Sequence, residues 1–172
     1  MTIDSINFFE ENGYFILENA YSSKECDSIV KFSNQQVDGE DLTPTMNIHN
    51  FSKDILLSMS NKKIISFTEK YFCGRADGLQ TEFFFMPPNT KGFTPHQDNT
   101  FVQAMDKTFM SAWVALTDVN NNNGGLIIWP GTHKEENLLT KDNCPQKNIN
   151  QDPNARVKST LVPEKYKAVS PL

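Results

Sequence analysis

Apolar and polar positions follow one pattern up to about residue 77 and a different pattern beyond it. In the first part, apolar residues recur at helical spacing between polar residues that can begin or end a helix. In the second part, they form short runs separated by residues that favour turns. The first part predicts helices over residues 4–12, 22–36, a segment beginning after Ser52, and 62–72.

Residues that begin and end helices support these assignments. Ser22 and Glu25 have the Ser-x-x-Glu spacing of a capping box, in which each side chain bonds the backbone N–H of the other residue. Ser52 is a candidate N-cap for the third helix. Gly13 and Gly74 are predicted to end the first and fourth helices.

Short apolar runs predict that strands dominate from residue 78 onward. The boundaries are set by Pro87-Pro88, by a loop of four asparagines and two glycines at 120–125, and by Pro130-Gly131. Helices followed by strands are typical of an α+β protein with a sandwich or barrel core. The predicted strands cover residues 14–17, 80–86, 109–116, 126–129 and 158–162.

Composition narrows the class of protein. A length of 172 residues predicts a single domain, and 38% hydrophobic residues with 13 Phe can fill a core. No apolar run is long enough to span a membrane. The net charge of −5 argues against a nucleic-acid binder. We expect a cytoplasmic protein, because there is no signal-peptide pattern and the three cysteines form no disulfide framework.

The candidate chemistry lies at His96 and Asp98. In an extended strand, residues two apart point to the same face. An imidazole and a carboxylate could then meet at one point, as in the two-histidine, one-carboxylate set that binds Fe(II). Alone, the His-x-Asp pattern is weak, because two ordinary polar strand residues would look the same.

Several further motifs place the pair in a specific context. The chain resembles the phytanoyl-CoA dioxygenase family in the order and spacing of these motifs, over most of residues 8–134. The motifs are Asn12-Gly13-Tyr14, Thr94-Pro95-His96-Gln97-Asp98, Ala112-Trp113-Val114-Ala115-Leu116, Asn123-Gly124-Gly125-Leu126 and Pro130-Gly131-Thr132-His133-Lys134.

The resemblance implies a fold and a chemistry. The expected fold is α+β, with a double-stranded β-helix (jelly-roll) core in one domain over residues 1–172. Residues 1–77 would be mainly helical, and residues 78–172 would form jelly-roll strands. The implied activity is a non-haem Fe(II)-dependent oxygenase that uses 2-oxoglutarate as co-substrate and hydroxylates a small organic or acyl substrate.

The resemblance also implies roles for individual residues. His96 and Asp98 match the first two iron ligands. Trp113 matches an aromatic residue of the 2-oxoglutarate pocket, and Gln97 a residue near co-substrate or substrate. Gln80 and Thr81 are assigned to the same pocket from their position on the predicted strand. In the family, the position matched by His133 is not a metal ligand. We expect His49 to be a loop or surface residue.

Two groups that the family uses are not found after His133. The third ligand is a histidine on a late strand, and an arginine after it binds the distal carboxylate of 2-oxoglutarate. No histidine follows His133, and no arginine follows Arg156. We therefore expect a chain that lacks its last core strands, is inactive alone, and self-associates through exposed sheet edges.

Alternatives to the oxygenase remain open at this point. The chain could be a non-catalytic binding or scaffold homologue of the same fold, or an inactive fragment. It could also be an unrelated jelly-roll module in which the His-x-Asp pattern is accidental.

Overall fold

The computed structural model describes residues 3–35, 45–85, 93, 95–135 and 162–171. The chain divides into two compact units. The first unit comprises Met1–Ile16, Asn89–Ser111 and Asn120–Leu172, and the second comprises Leu17–Pro88 and Ala112–Val119. The single domain expected from sequence length stays a prediction.

Helices account for most of the regular structure in the described part of the chain. None of these helices is long and apolar enough to cross a membrane. In chain order the elements are α1 (Ile3–Asn12), α2 (Ser23–Gln35), β1 (Thr45–Met46), a 3-10 helix (Ile48–Asn50), α3 (Lys53–Met59), α4 (Lys62–Phe72), β2 (Glu82–Phe83), α5 (Asn99–Val102) and a second 3-10 helix (Thr132–Lys134).

Helix α2 begins at the predicted capping box. The Ser22 N–H donates to Glu25 Oε2 at 2.8 Å, and the Glu25 N–H donates to Ser22 Oγ at 3.3 Å. Two backbone groups at the start of the helix are thereby satisfied by side chains. The capping box predicted from sequence is confirmed.

Helices α3 and α4 begin at polar caps as well. Ser52 Oγ accepts from the Ile55 N–H at 3.3 Å, which confirms Ser52 as the N-cap of α3. Asn61 Oδ1 accepts from the N–H groups of Lys63 and Ile64 at 2.9 and 3.2 Å. Helix α4 covers the predicted residues 62–72 and ends at Cys73, in a left-handed conformation one residue before the predicted stop.

The second unit contains the buried apolar residues of the described chain. Ile48 on the first 3-10 helix, Ile55 on α3 and Phe67 on α4 are the buried hydrophobic side chains. Ser33 on α2 is buried with them. Helical segments therefore supply the core of this unit.

Strand content is much lower than the sequence pattern predicts. In the described residues, β1 and β2 pair antiparallel with Thr45 opposite Phe83, and an isolated bridge joins Ile128 to Val169. Within the predicted strand 80–86, the described residues 80–85 contain β2 alone, and residues 14–17 and 109–116 form no ladder. An apolar run forms a strand only where another segment of the chain pairs with its backbone N–H and C=O groups.

The predicted jelly roll is therefore not confirmed in detail. Within the predicted strand 126–129, Ile128 alone pairs, exchanging two backbone hydrogen bonds of 2.9 and 2.8 Å with Val169. Most of the predicted strand 158–162 lies outside the described residues.

In the first unit, the end of α1 is held by the segment around the second 3-10 helix. The Gly131 N–H donates to the Asn12 carbonyl at 3.0 Å, and His133 Nε2 lies 3.0 Å from the Glu10 carbonyl oxygen. Lys134 Nζ lies 3.1 Å from a carboxylate oxygen of Glu11. Two motifs far apart in sequence, 12–14 and 130–134, are thus in contact. The contact supplies partners for backbone carbonyls at the end of α1.

Gly13 allows this contact. Its φ of +78° lies in the left-handed region, and a Cβ there would stand 2.3 Å from His133 Nδ1. Only glycine offers both the backbone conformation and the space for the imidazole.

Candidate metal centre

The backbone around His96 and Asp98 is a turn that leads into α5. Asp98 immediately precedes the helix with φ −55° and ψ −34°. The Gln97 and Asp98 carbonyls accept N–H groups from Thr100 and Phe101 at 2.9 and 3.0 Å. The extended strand assumed for residues 96–98 is therefore wrong, because these local hydrogen bonds close a helical turn.

The two side chains meet all the same. His96 Nε2 lies 3.3 Å from Asp98 Oδ1. The His96 side chain is 28% exposed and that of Asp98 48% exposed, so both are reachable from solvent. The turn brings together the pair that the sequence pattern singled out, although by a different backbone geometry.

The Asp98 carboxyl is held in its ionised form. Its pKa lies below the ordinary value because His96 hydrogen-bonds to it and, to a smaller extent, because Ser111 donates a hydrogen bond; partial burial opposes the shift. An ionised carboxylate is the form that binds a metal cation.

Two phenylalanines flank the His96 ring. The rings of Phe93 and Phe101 lie edge-on to the imidazole, with centroids 6.5 and 5.8 Å away. Each ring is about half exposed to solvent. Edge-on aromatic contacts restrict the orientation of the imidazole and place an apolar surface beside it.

The geometry of the pair fits two neighbouring ligands of one metal ion. Donor atoms about 2.0–2.2 Å from a metal and at right angles to each other lie about 3 Å apart. The observed 3.3 Å between His96 Nε2 and Asp98 Oδ1 matches that spacing. Within the described ranges, no group of three or more His, Cys, Asp or Glu side chains could hold a metal ion.

Gln97, expected near co-substrate or substrate, bonds to another part of the same unit. Its Nε2 donates to the Thr132 carbonyl at 3.4 Å. This bond links the turn before α5 to the motif that holds α1. In the structure, Gln97 therefore connects two segments of the first unit.

The other residues predicted for the co-substrate pocket belong to the second unit. Gln80 and Trp113 are exposed. Thr81 is engaged with the 3-10 helix: its carbonyl accepts from the Asn47 N–H at 2.7 Å, and its Oγ1 lies 2.8 Å from His49 Nδ1. His49 is therefore a half-buried, hydrogen-bonded residue rather than the loop or surface residue expected.

Ser111 was missed by the sequence analysis. Its hydroxyl donates to Asp98 Oδ2 across thirteen positions of sequence. A single serine in a mixed apolar segment carries no pattern that names its partner, so only the folded chain shows this contact.

Comparison with known proteins identifies the class. A family model described as phytanoyl-CoA dioxygenase matches residues 9–168, which is nearly the whole chain. The chain belongs to the phytanoyl-CoA dioxygenase family, as its motifs indicated. Family membership implies a jelly-roll fold.

Curated relatives match at lower coverage. The rice (Oryza sativa subsp. japonica) protein named phytanoyl-CoA dioxygenase 1 is 39% identical over 57 residues, which is 33% of this chain and 20% of that protein. The peroxisomal phytanoyl-CoA dioxygenase of Bos taurus is 21% identical over 162 residues, covering 78% of this chain and 48% of that protein. The chain thus spans about half the length of the bovine relative. Its match to the rice protein covers 20% of that protein. No solved structure matches.

Proposed function

We propose that this chain is part of a non-haem Fe(II)- and 2-oxoglutarate-dependent oxygenase that hydroxylates a small organic or acyl substrate. The observation that carries the proposal is the His96–Asp98 pair, with donor atoms 3.3 Å apart, in a chain that matches the family over residues 9–168. The spacing supports two adjacent ligands of one metal ion.

The roles of the chain's own residues follow from their contacts. His96 would bind the iron through Nε2, and Asp98 through Oδ1, bringing negative charge. When bound, Fe(II) together with 2-oxoglutarate would supply the activation of O₂ that no amino-acid side chain provides. Phe93 and Phe101 would place apolar surface beside the imidazole that binds the metal.

The co-substrate residues stay proposals by family resemblance. We assign Trp113, Gln97, Gln80 and Thr81 to 2-oxoglutarate binding. Gln97 and Thr81 already bond to Thr132 and His49. Binding of 2-oxoglutarate would use their remaining hydrogen-bonding capacity or replace these bonds. Replacing each in turn, in a longer protein that contains this chain, and measuring the concentration of 2-oxoglutarate at half-maximal turnover tests the assignment.

Metal binding tests the central proposal directly. Co(II), which has visible absorption bands, can be titrated into the 172-residue protein and into the variants His96→Ala and Asp98→Ala. We expect each variant to bind Co(II) at least about tenfold more weakly, since even a residue behind a ligand commonly contributes that much. His49→Ala is the matched control, because His49 bonds to Thr81 in the second unit.

If His96→Ala and Asp98→Ala both bind Co(II) as the unaltered protein does, the proposed metal site is wrong.

A second measurement tests the proposed reaction. In a longer protein that contains this chain, succinate released from 2-oxoglutarate in the presence of O₂ should depend on added Fe(II) and be lost in His96→Ala. Release that persists unchanged in that variant would contradict the role of His96.

A further inference from the structure

We propose that Ser111 is a positioning residue that orients the Asp98 carboxylate toward the metal. This inference rests on the proposed function, because it concerns the same site. The Ser111 hydroxyl occupies Oδ2 of Asp98 and leaves Oδ1 facing His96 Nε2. Oδ2 of the carboxylate accepts the Ser111 hydrogen bond, and Oδ1 is the oxygen proposed to bind the metal.

The need for such a partner follows from where Asp98 stands. An aspartate immediately before a helix ordinarily accepts a hydrogen bond from a backbone N–H in the first helical turn. Asp98 makes no such capping bond, and its own backbone is already helical. Because the first helical turn gives the Asp98 side chain no cap bond, the rotation of the carboxylate depends on groups outside the helix, namely His96 and Ser111.

Ser111 adds a second restraint beside the His96 contact without changing the charge of the site. A neutral hydroxyl that donates to Oδ2 fixes the carboxylate plane and leaves it anionic. Occupying Oδ2 also disfavours binding through both oxygens. One-oxygen binding keeps a coordination position open, which a site that must also take co-substrate and O₂ requires.

The hydroxyl can be tested with two side chains of nearly equal shape. Ser111→Thr keeps the hydroxyl and adds a methyl group, whereas Ser111→Val has the shape of threonine with a second methyl group in place of the hydroxyl. Ser111 is exposed, so both variants should fold. Thr108→Val is the matched control, because the Thr108 hydroxyl lies in the same segment and bonds only the Met105 carbonyl among the contacts described for it.

Co(II) affinity and the visible spectrum of bound Co(II) are measured for each variant. We expect Ser111→Val to weaken Co(II) binding about 10- to 100-fold, the usual effect of losing a group that orients a ligand. Its Co(II) bands should shift, since the carboxylate is free to change its binding mode. Ser111→Thr and Thr108→Val should both keep the affinity and spectrum of the unaltered protein.

The outcomes separate this inference from the proposed function. If Asp98→Ala loses Co(II) binding and Ser111→Val matches Ser111→Thr in affinity and spectrum, the role of Ser111 is wrong and the metal site stands. If Asp98→Ala and His96→Ala also bind Co(II) normally, the proposed function fails and Ser111 has no ligand to position. Circular dichroism confirms that each variant is folded.

Discussion

Single residues decide how the end of α1 is held. Gly13 combines a left-handed backbone with a contact to the His133 ring that no Cβ could make. The family resemblance gave His133 a position outside the ligand set. The structure supplies a contact consistent with that expectation, since the imidazole lies against the carbonyl of Glu10.

Gly13→Ala should lower the free energy of unfolding by about 2–5 kcal/mol. About 1–2 kcal/mol comes from the left-handed conformation, and about 1–3 kcal/mol from overpacking against the His133 ring. Urea unfolding followed by circular dichroism measures the change. Gly124→Ala is the control, because Gly124 also has a positive φ but, chain neighbours aside, no atom of the described residues lies within 4 Å of its Cβ position. Equal losses in the two variants would show that the ring contact contributes nothing.

At the scale of elements, the helices behave as local sequence rules require. The Ser22–Glu25 box, the Ser52 cap and the Asn61 cap each join residues no more than three apart. Such contacts are encoded within a few neighbouring positions, so the sequence alone predicted the helices that follow and two of these three caps. The four-residue α5 was not predicted, since it is too short to show a helical repeat.

The capping box should make stability depend on pH. The Ser22 hydroxyl and N–H lower the pKa of Glu25 in the folded protein. A lowered folded pKa means that the stabilisation is present above the unfolded pKa of about 4.3 and is lost as pH falls through the folded value.

We therefore expect Glu25→Ala to be less stable than the unaltered protein at pH 7, with the difference shrinking toward pH 3. Thermal unfolding across this range measures it. Glu18→Ala, which removes an exposed glutamate outside the box, is the control. A difference for Glu25→Ala that stays constant with pH would contradict the interpretation.

The cap of α3 should contribute independently of pH. Ser52→Ala leaves the Ile55 N–H without its side-chain acceptor and should cost about 1 kcal/mol. Ser52→Asp, which retains an acceptor, should restore most of this. Ser60→Ala at the other end of the helix removes only a weak 3.5 Å contact and serves as the comparison. Equal melting temperatures for Ser52→Ala and Ser60→Ala would argue against the cap.

At the scale of the whole molecule, the chain consists of two compact units, and the buried apolar residues that the structure describes lie in the second. Membership in the phytanoyl-CoA dioxygenase family extends over both units. The expected self-association and cytoplasmic location stay predictions; the bovine relative is named as peroxisomal.

The core of the second unit should dominate its stability. Ile55 is 2% exposed, so Ile55→Ala should cost about 2–5 kcal/mol through lost burial and a remaining cavity. Leu57 on the same helix is 58% exposed, and Leu57→Ala should change stability by no more than about 0.5 kcal/mol. Chemical unfolding of both variants tests the contrast, and similar losses would mean that Ile55 is not a core residue.

The sequence by itself determined the helices α1 to α4, two of their caps, the family and the pair His96 and Asp98. Each rests on residues close together in the chain or on the order of short motifs. It overestimated the strands at 14–17 and 109–116, because an apolar run does not specify the segment that will take its backbone hydrogen bonds.

Only the tertiary structure decided the contacts that join distant positions. They are the Ser111 bond to Asp98, the His133 ring on Gly13, and the His49 bond to Thr81. A hydroxyl or an imidazole carries no local pattern that names its partner. The turn that brings His96 to Asp98 was likewise set by backbone hydrogen bonds into α5, where the sequence pattern had suggested a strand.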